Sequence, residues 1–190
     1  MPTLSWSGAR SSWLAARQTW RNWPSGATLP SDVPYDTSHA RPPAALQRGD
    51  GAAQLVFSPA LSHLYQRSPC RVLFPNVEAG EPPNAVLLTT CGGLTGGDRV
   101  RTTVTVEQGA MATVTSQAAE KIYRSLGEDC RVEVTLTAGA DAWLEFLPHE
   151  TILFDGARLR RTTELHVAPG GKLLACEIVV FGRVARGEEF

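Results

Sequence analysis

Val104-Thr-Val-Glu-Gln-Gly109-Ala, Val134-Thr-Leu-Thr-Ala-Gly139-Ala and Leu165-His-Val-Ala-Pro-Gly170-Gly share one pattern, an alternating apolar run that stops at a turn glycine. The glycines recur at intervals of about thirty residues, and a second short apolar run follows each of them (Met111–Ser116, Asp141–Leu147, Lys172–Phe181). Period-2 alternation puts successive side chains on opposite faces of a strand. In Arg99-Val-Arg-Thr-Thr-Val-Thr-Val106 it sends Val100, Thr102, Val104 and Val106 one way and Arg99, Arg101, Thr103 and Thr105 the other. Each unit therefore predicts a strand, a glycine turn with positive φ, and a second strand, read as a hairpin. Repetition at this period predicts stacked β units, as in a β-solenoid or a layered sandwich. The expected fold class is all-β, a stacked β-hairpin, β-helix-like architecture with few short helices. Ser116–Arg124 is the best helical candidate, and equally reads as a strand or a loop.

Outward from these repeats the composition changes. The 190 residues carry 18 Lys+Arg against 19 Asp+Glu, a net charge of −1 that gives no general attraction to nucleic acid or anionic membrane. No apolar run is long enough for a spanning helix. Residues 1–48 hold five Arg and two Asp, with Trp6, Trp13, Trp20 and Trp23 near the start, whereas residues 49–190 hold thirteen basic and seventeen acidic residues. The acid-free, Arg- and Ser-rich start resembles a transit peptide or a poorly ordered extension. Pro24, Pro30, Pro34, Pro42 and Pro43 make the following stretch a linker. The expected division is a leader and linker over 1–48 and a β domain over 49–190. Cys70, Cys91, Cys130 and Cys176 lie far apart with no C-x-x-C pair, which predicts buried, reduced thiols in a cytoplasmic protein.

Catalytic signatures are few. Gly92-Gly-Leu-Thr-Gly-Gly97-Asp98-Arg99 has the glycine skeleton of a phosphate loop, but Asp98 and Arg99 stand where Lys and Ser/Thr are needed, and a strand follows. Gly92, Gly93, Gly96 and Gly97 are read instead as structural turns presenting Asp98. There is no Gly-x-Ser-x-Gly, and His149-Glu150 does not continue to His-Glu-x-x-His, so the residues predict a non-enzyme. Aligning the second strands puts Thr115, Glu145 and Glu177 at like positions. Two carboxylates inside apolar strands predict either an acidic column on one face or a solvent-facing edge. Arg158 and Arg160 share a strand face, where they would pair carboxylates or form a solvated basic edge.

Five blocks in order carry a family resemblance: Arg67-Ser-Pro-Cys-Arg-Val-Leu-Phe-Pro75, Gly92-Gly-Leu-Thr-Gly-Gly-Asp98, Gln117-Ala-Ala-Glu-Lys-Ile-Tyr-Arg-Ser125, Leu147-Pro-His-Glu-Thr-Ile-Leu-Phe-Asp-Gly-Ala-Arg158 and Glu177-Ile-Val-Val-Phe-Gly-Arg183. In these the chain resembles the urease accessory protein UreD (UreH) family. The resemblance implies a cytoplasmic maturation factor that binds apo-urease together with UreF and the GTPase UreG and helps deliver nickel through an internal tunnel. It implies no tightly bound cofactor, with nickel only in transit, and no nucleic-acid or membrane partner. Under it, Asp98, Glu145 and Glu177 are the expected channel-lining acids, with Glu120 and Glu150 behind them. Arg124 and Arg158 are expected in internal ion pairs or partner contacts. The alternative is a metal-free β scaffold bridging urease to its other accessory proteins. His149 departs from the family pattern. Family members also continue beyond the Phe181-Gly-Arg block, so the resemblance implies a C-terminally truncated form with an unpaired edge.

Overall fold

The computed structural model describes residues 47–183 and 186–188; the leader and linker expected over 1–48 lie, but for Gln47 and Arg48, outside them. The strands run in chain order: β1 (Asp50–Phe57), β2 (Leu61–Arg67), β3 (Cys70–Leu73), β4 (Asn84–Thr89), β5 (Arg99–Val106), β6 (Met111–Gln117), β7 (Glu120–Ile122), β8 (Cys130–Ala138), β9 (Trp143–Leu147), β10 (Thr151–Leu153), β11 (Leu159–Val167), β12 (Lys172–Ala175) and β13 (Val179–Phe181). No α-helix occurs among the described residues. Ser116–Arg124 supplies the end of β6 and all of β7.

These strands wind into a three-sided prism. One face is β11-β8-β5-β1-β2, the second β12-β9-β6-β4-β3 and the third β13-β10-β7. Each of the last three coils contributes one strand to each face, and neighbouring coils pair in parallel and in register. The stacked, β-helix-like arrangement is therefore the observed fold. The hairpins expected within each unit are corrected: β5 pairs with β1 and β8, while β6 pairs with β4 and β9. The turn at Gly109 (φ +68°) moves the chain from the first face to the second, so its two flanking strands never bond to each other. The first coil is completed by the glycine-rich loop, whose Leu94 bridges Ile122 in parallel on the third face. β2 and β3 reverse direction and pair antiparallel to β1 and β4, closing that end of the prism with a polar strand.

In-register stacking turns the alternation of each strand into columns. Leu55, Val104 and Leu136 form one inward column, and Phe57, Val106 and Ala138 another, all essentially free of solvent. Each buried Leu, Val or Phe side chain contributes about 1.5–3 kcal/mol. Both columns continue into β11 as Leu165 and Val167, which are 52% and 51% exposed because no strand covers their outer side among the described residues. The next inward column reads Ala53, Thr102, Val134, Thr163, and the one beyond it Gly51, Val100, Val132, Arg161. Hydrophilic side chains thus enter the interior at one side of the prism.

Candidate interior lane

The polar side encloses a cavity of about 90 Å³. Its walls include Val100, Val132 and Phe146, and its polar groups include Thr89, Thr102, Ser116, Glu120, Thr151 and Arg161. Glu120 points inward because β7 alternates and Ile122, two residues on, is wholly buried. Its carboxylate accepts a hydrogen bond from Thr89 Oγ1 at 2.5 Å, one coil earlier. Burial holds the Glu120 carboxyl above the usual glutamate range, and the Thr89 hydroxyl only partly offsets that. Across the cavity, burial lowers the Arg161 guanidinium from its ordinary value while the charge of Glu120 opposes that shift. Arg161 in turn forms an ion pair with Glu177. One half-buried cation is therefore flanked by carboxylates from two different coils.

Three of the five expected channel acids gather at this side. Glu120 lines the cavity, Glu177 is drawn to it by Arg161, and Glu150 precedes the cavity residue Thr151. The Glu150 carboxylate lies 3.8 Å from His149 Nδ1, and His149 itself lines the cavity. The equivalence of Glu145 and Glu177 is corrected, because Glu145 is in register with Thr113 and Leu174, and Glu177 falls beyond the end of β12. Glu145 faces outward between the buried Leu144 and Phe146, accepting bonds from Thr113 Oγ1 at 3.0 Å and Trp143 Nε1 at 3.1 Å. It is a solvent-side carboxylate on an inner strand of the second face rather than part of an interior column.

Asp98 is buried but does not line the cavity. Its carboxylate accepts the Gly49 amide at 2.7 Å and the Thr95 amide at 2.8 Å, fastening the entry to β1 to the glycine-rich loop. That loop needs its glycines unequally. A Cβ at Gly96 would overlap Ser125 Oγ and the Glu128 carbonyl, and Gly93 (φ +144°) lies against the Tyr123 ring, whereas a Cβ at Gly92 would meet open space. Gly97 combines φ +87° with contacts to Glu128 and Arg48. Arg124 pairs with Asp155, and Arg158 with Asp129 at 3.0 Å, both on the surface. The hydrogen bond from Arg158, helped by its charge and by Arg160, holds Asp129 below the usual aspartate range.

Sequence reasoning passed over Arg161, Thr102 and Thr151, although the alternation that turns Arg158 and Arg160 outward turns Arg161 inward. The expectation of four buried thiols is corrected as well. Cys70 and Cys130 are buried, and burial pushes their pKa values up to about 11 and about 12, but Cys91 and Cys176 are exposed. Among the described residues no three His, Cys, Asp or Glu side chains assemble as a metal-holding group. The lane offers one half-buried carboxylate with hydroxyl oxygens, and the guanidinium groups of Arg71 and Arg161, around it, a weak oxygen-donor environment.

Residues 49–190 match the family described as UreD urease accessory protein. A urease accessory protein UreD of Magnetococcus marinus is 47% identical over 129 residues, covering 68% of this chain and 45% of that protein. One from Cereibacter sphaeroides is 45% identical over 150 residues, 76% of this chain and 54% of that protein, and one from Granulibacter bethesdensis is 50% identical over 119 residues, 63% and 50%. The chain spans about half the length of these relatives. The match begins where the β prism begins, and the chain belongs to the UreD urease accessory protein family.

Proposed function

We propose that this chain acts without catalysis in urease maturation, in the cytoplasm, associating with apo-urease, UreF and UreG, and that its prism interior carries nickel toward the urease active site. The observation that supports this most is the inward Glu120, held by Thr89 in a cavity that also presents the hydroxyls of Thr102, Ser116 and Thr151. A half-buried carboxylate costs free energy unless it is hydrogen-bonded or meets a cation. A single carboxylate with neutral oxygens binds a divalent ion loosely enough to release it, where a Cys/His cage would retain it. Glu177 and Glu150, at the same side, extend the acidic path beyond the cavity, with His149 adjacent.

One observation favours a second reading. Arg161 sets a guanidinium against the same cavity, where it repels a cation unless its carboxylates outweigh it. On that reading Glu120, Arg161 and Glu177 form a half-buried ion-pair network that fixes the shape of a metal-free scaffold. The two readings separate in a reconstituted system of apo-urease, UreF, UreG and this chain carrying Glu120→Gln. Intact co-purification with reduced nickel loading supports the lane; intact co-purification with full loading supports the scaffold.

A further inference from the structure

The outer side of the first face carries a second feature, independent of the lane. Asp50, Arg99, Arg131 and Arg160 occupy one in-register row across β1, β5, β8 and β11. Neighbouring strands lie about 4.8 Å apart, so three arginines are stacked over about 10 Å along the prism axis. Like charges directly opposite one another on adjacent strands destabilise a sheet. The flanking groups relieve only the ends of the row. Asp50 turns its carboxylate away, to Arg67 at 2.8 Å and Arg101 at 3.4 Å. Arg160 shares Asp129 with Arg158. Arg99 and Arg131 are exposed, and beyond the bonds of their backbone amides to Gly49 and Asp98 their guanidinium groups have no hydrogen-bond or ion-pair partner among the described residues.

The adjacent row shows that compensation on these strands is simple, since Arg101 meets Glu133 at 3.0 Å on the same pair, β5 and β8. Beside Arg99 and Arg131 lies a surface hollow of about 270 Å³, which they line with Gly97, Gly127, Glu128, Asp129 and Arg158. Of its two acids, Asp129 is engaged by Arg158 and Arg160, while the Glu128 carboxylate lies near Arg48 beside Gly97 and offsets one of the three lining arginines. The hollow therefore presents an excess of positive charge centred on Arg99 and Arg131.

We infer that Arg99 and Arg131 form a docking site for a protein partner that presents an acidic helix stripe. Carboxylates at i, i+3 and i+4 on a helix are about 5–6 Å apart, which matches the spacing of the arginine row when the helix lies along the prism axis. Each guanidinium can then take one carboxylate through charge-assisted bonds. Glu128 and Asp129 beside the row disfavour a continuous polyanion such as RNA, and the linear row lacks the convergence that inorganic phosphate needs.

The test uses the whole chain and a labelled helical peptide of about 20 residues with glutamate at every fourth position, long enough to be helical in water. Fluorescence anisotropy should show salt-sensitive binding that weakens about tenfold or more in Arg99→Ser/Arg131→Ser, and by less than about twofold in Arg101→Ser, the paired neighbour. Thermal melting of the double variant should occur at or above the parent's temperature, because like-charge repulsion is removed. Unchanged peptide binding in the double variant, equal loss in Arg101→Ser, tighter binding of RNA or inorganic phosphate than of the peptide, or a lower melting temperature would each overturn the inference.

Discussion

Thr89 Oγ1 donates to the Glu120 carboxylate at 2.5 Å, joining the second face of the first coil to the third face of the second. This contact keeps a carboxylate inside a prism packed mainly with Val, Leu, Ala and Phe. It also sets a pH signature. Burial raises the folded-state pKa of Glu120 above its unfolded value. Folding therefore takes up a proton between the two values, and Glu120 costs stability increasingly as pH rises through that window. Glu120→Gln should match the parent's stability below about pH 4, the ordinary glutamate value, and exceed it at neutral pH. Urea titrations at both pH values check this; a variant less stable at neutral pH would contradict it.

Asp98 has a structural role that can be separated from the lane. Asp98→Ala strips the acceptor from the Gly49 and Thr95 amides, and should cost about 2–4 kcal/mol in chemical denaturation. Asp98→Asn, which keeps one oxygen acceptor, should recover part of that loss. Nickel transfer should fall only to the extent that folded protein is lost.

Stacking also predicts a gradient along the prism. Leu136 and Leu165 are paired in one inward column, yet Leu136 is wholly buried and Leu165 half exposed. Leu136→Ala should cost about 2–5 kcal/mol and Leu165→Ala less than about 1 kcal/mol in the same denaturation experiment.

The thiols provide an independent check on burial. At about pH 8 a thiol reagent should label Cys91 and Cys176 rapidly, and Cys70 and Cys130 only on unfolding, since their raised pKa values leave almost no thiolate. Four equally fast thiols would contradict the packing described.

Much of this fold could be read in the alternation of Arg99–Val106 and Cys130–Ala138 and in the thirty-residue recurrence of the turn glycines. The partner of each strand could not. A strand, a glycine turn and a strand describe a hairpin and a prism corner equally well, and only pairing between coils separates them. The same limit misplaced the acids. Counting from turn glycines treated every coil as alike, but Glu145 meets Leu174 rather than Glu177 across the β9–β12 pair. Glu120 was recognised inside a family block, yet its inward aim follows from β7 lying on a third face that no local pattern announced. Arg161 was hidden by its neighbours, because a run of three closely spaced arginines reads as surface until the strand phase is known.

Glu120 and Glu145 offer the most direct test of the interior lane, being identical side chains on opposite sides of the prism wall. The measurement is nickel bound per urease active site, followed over time in the reconstituted system with either Glu120→Gln or Glu145→Gln. The account predicts slowed loading with Glu120→Gln, parental loading with Glu145→Gln, and unchanged complex assembly for both. Parental loading with Glu120→Gln, or equal slowing by the two variants, would contradict it.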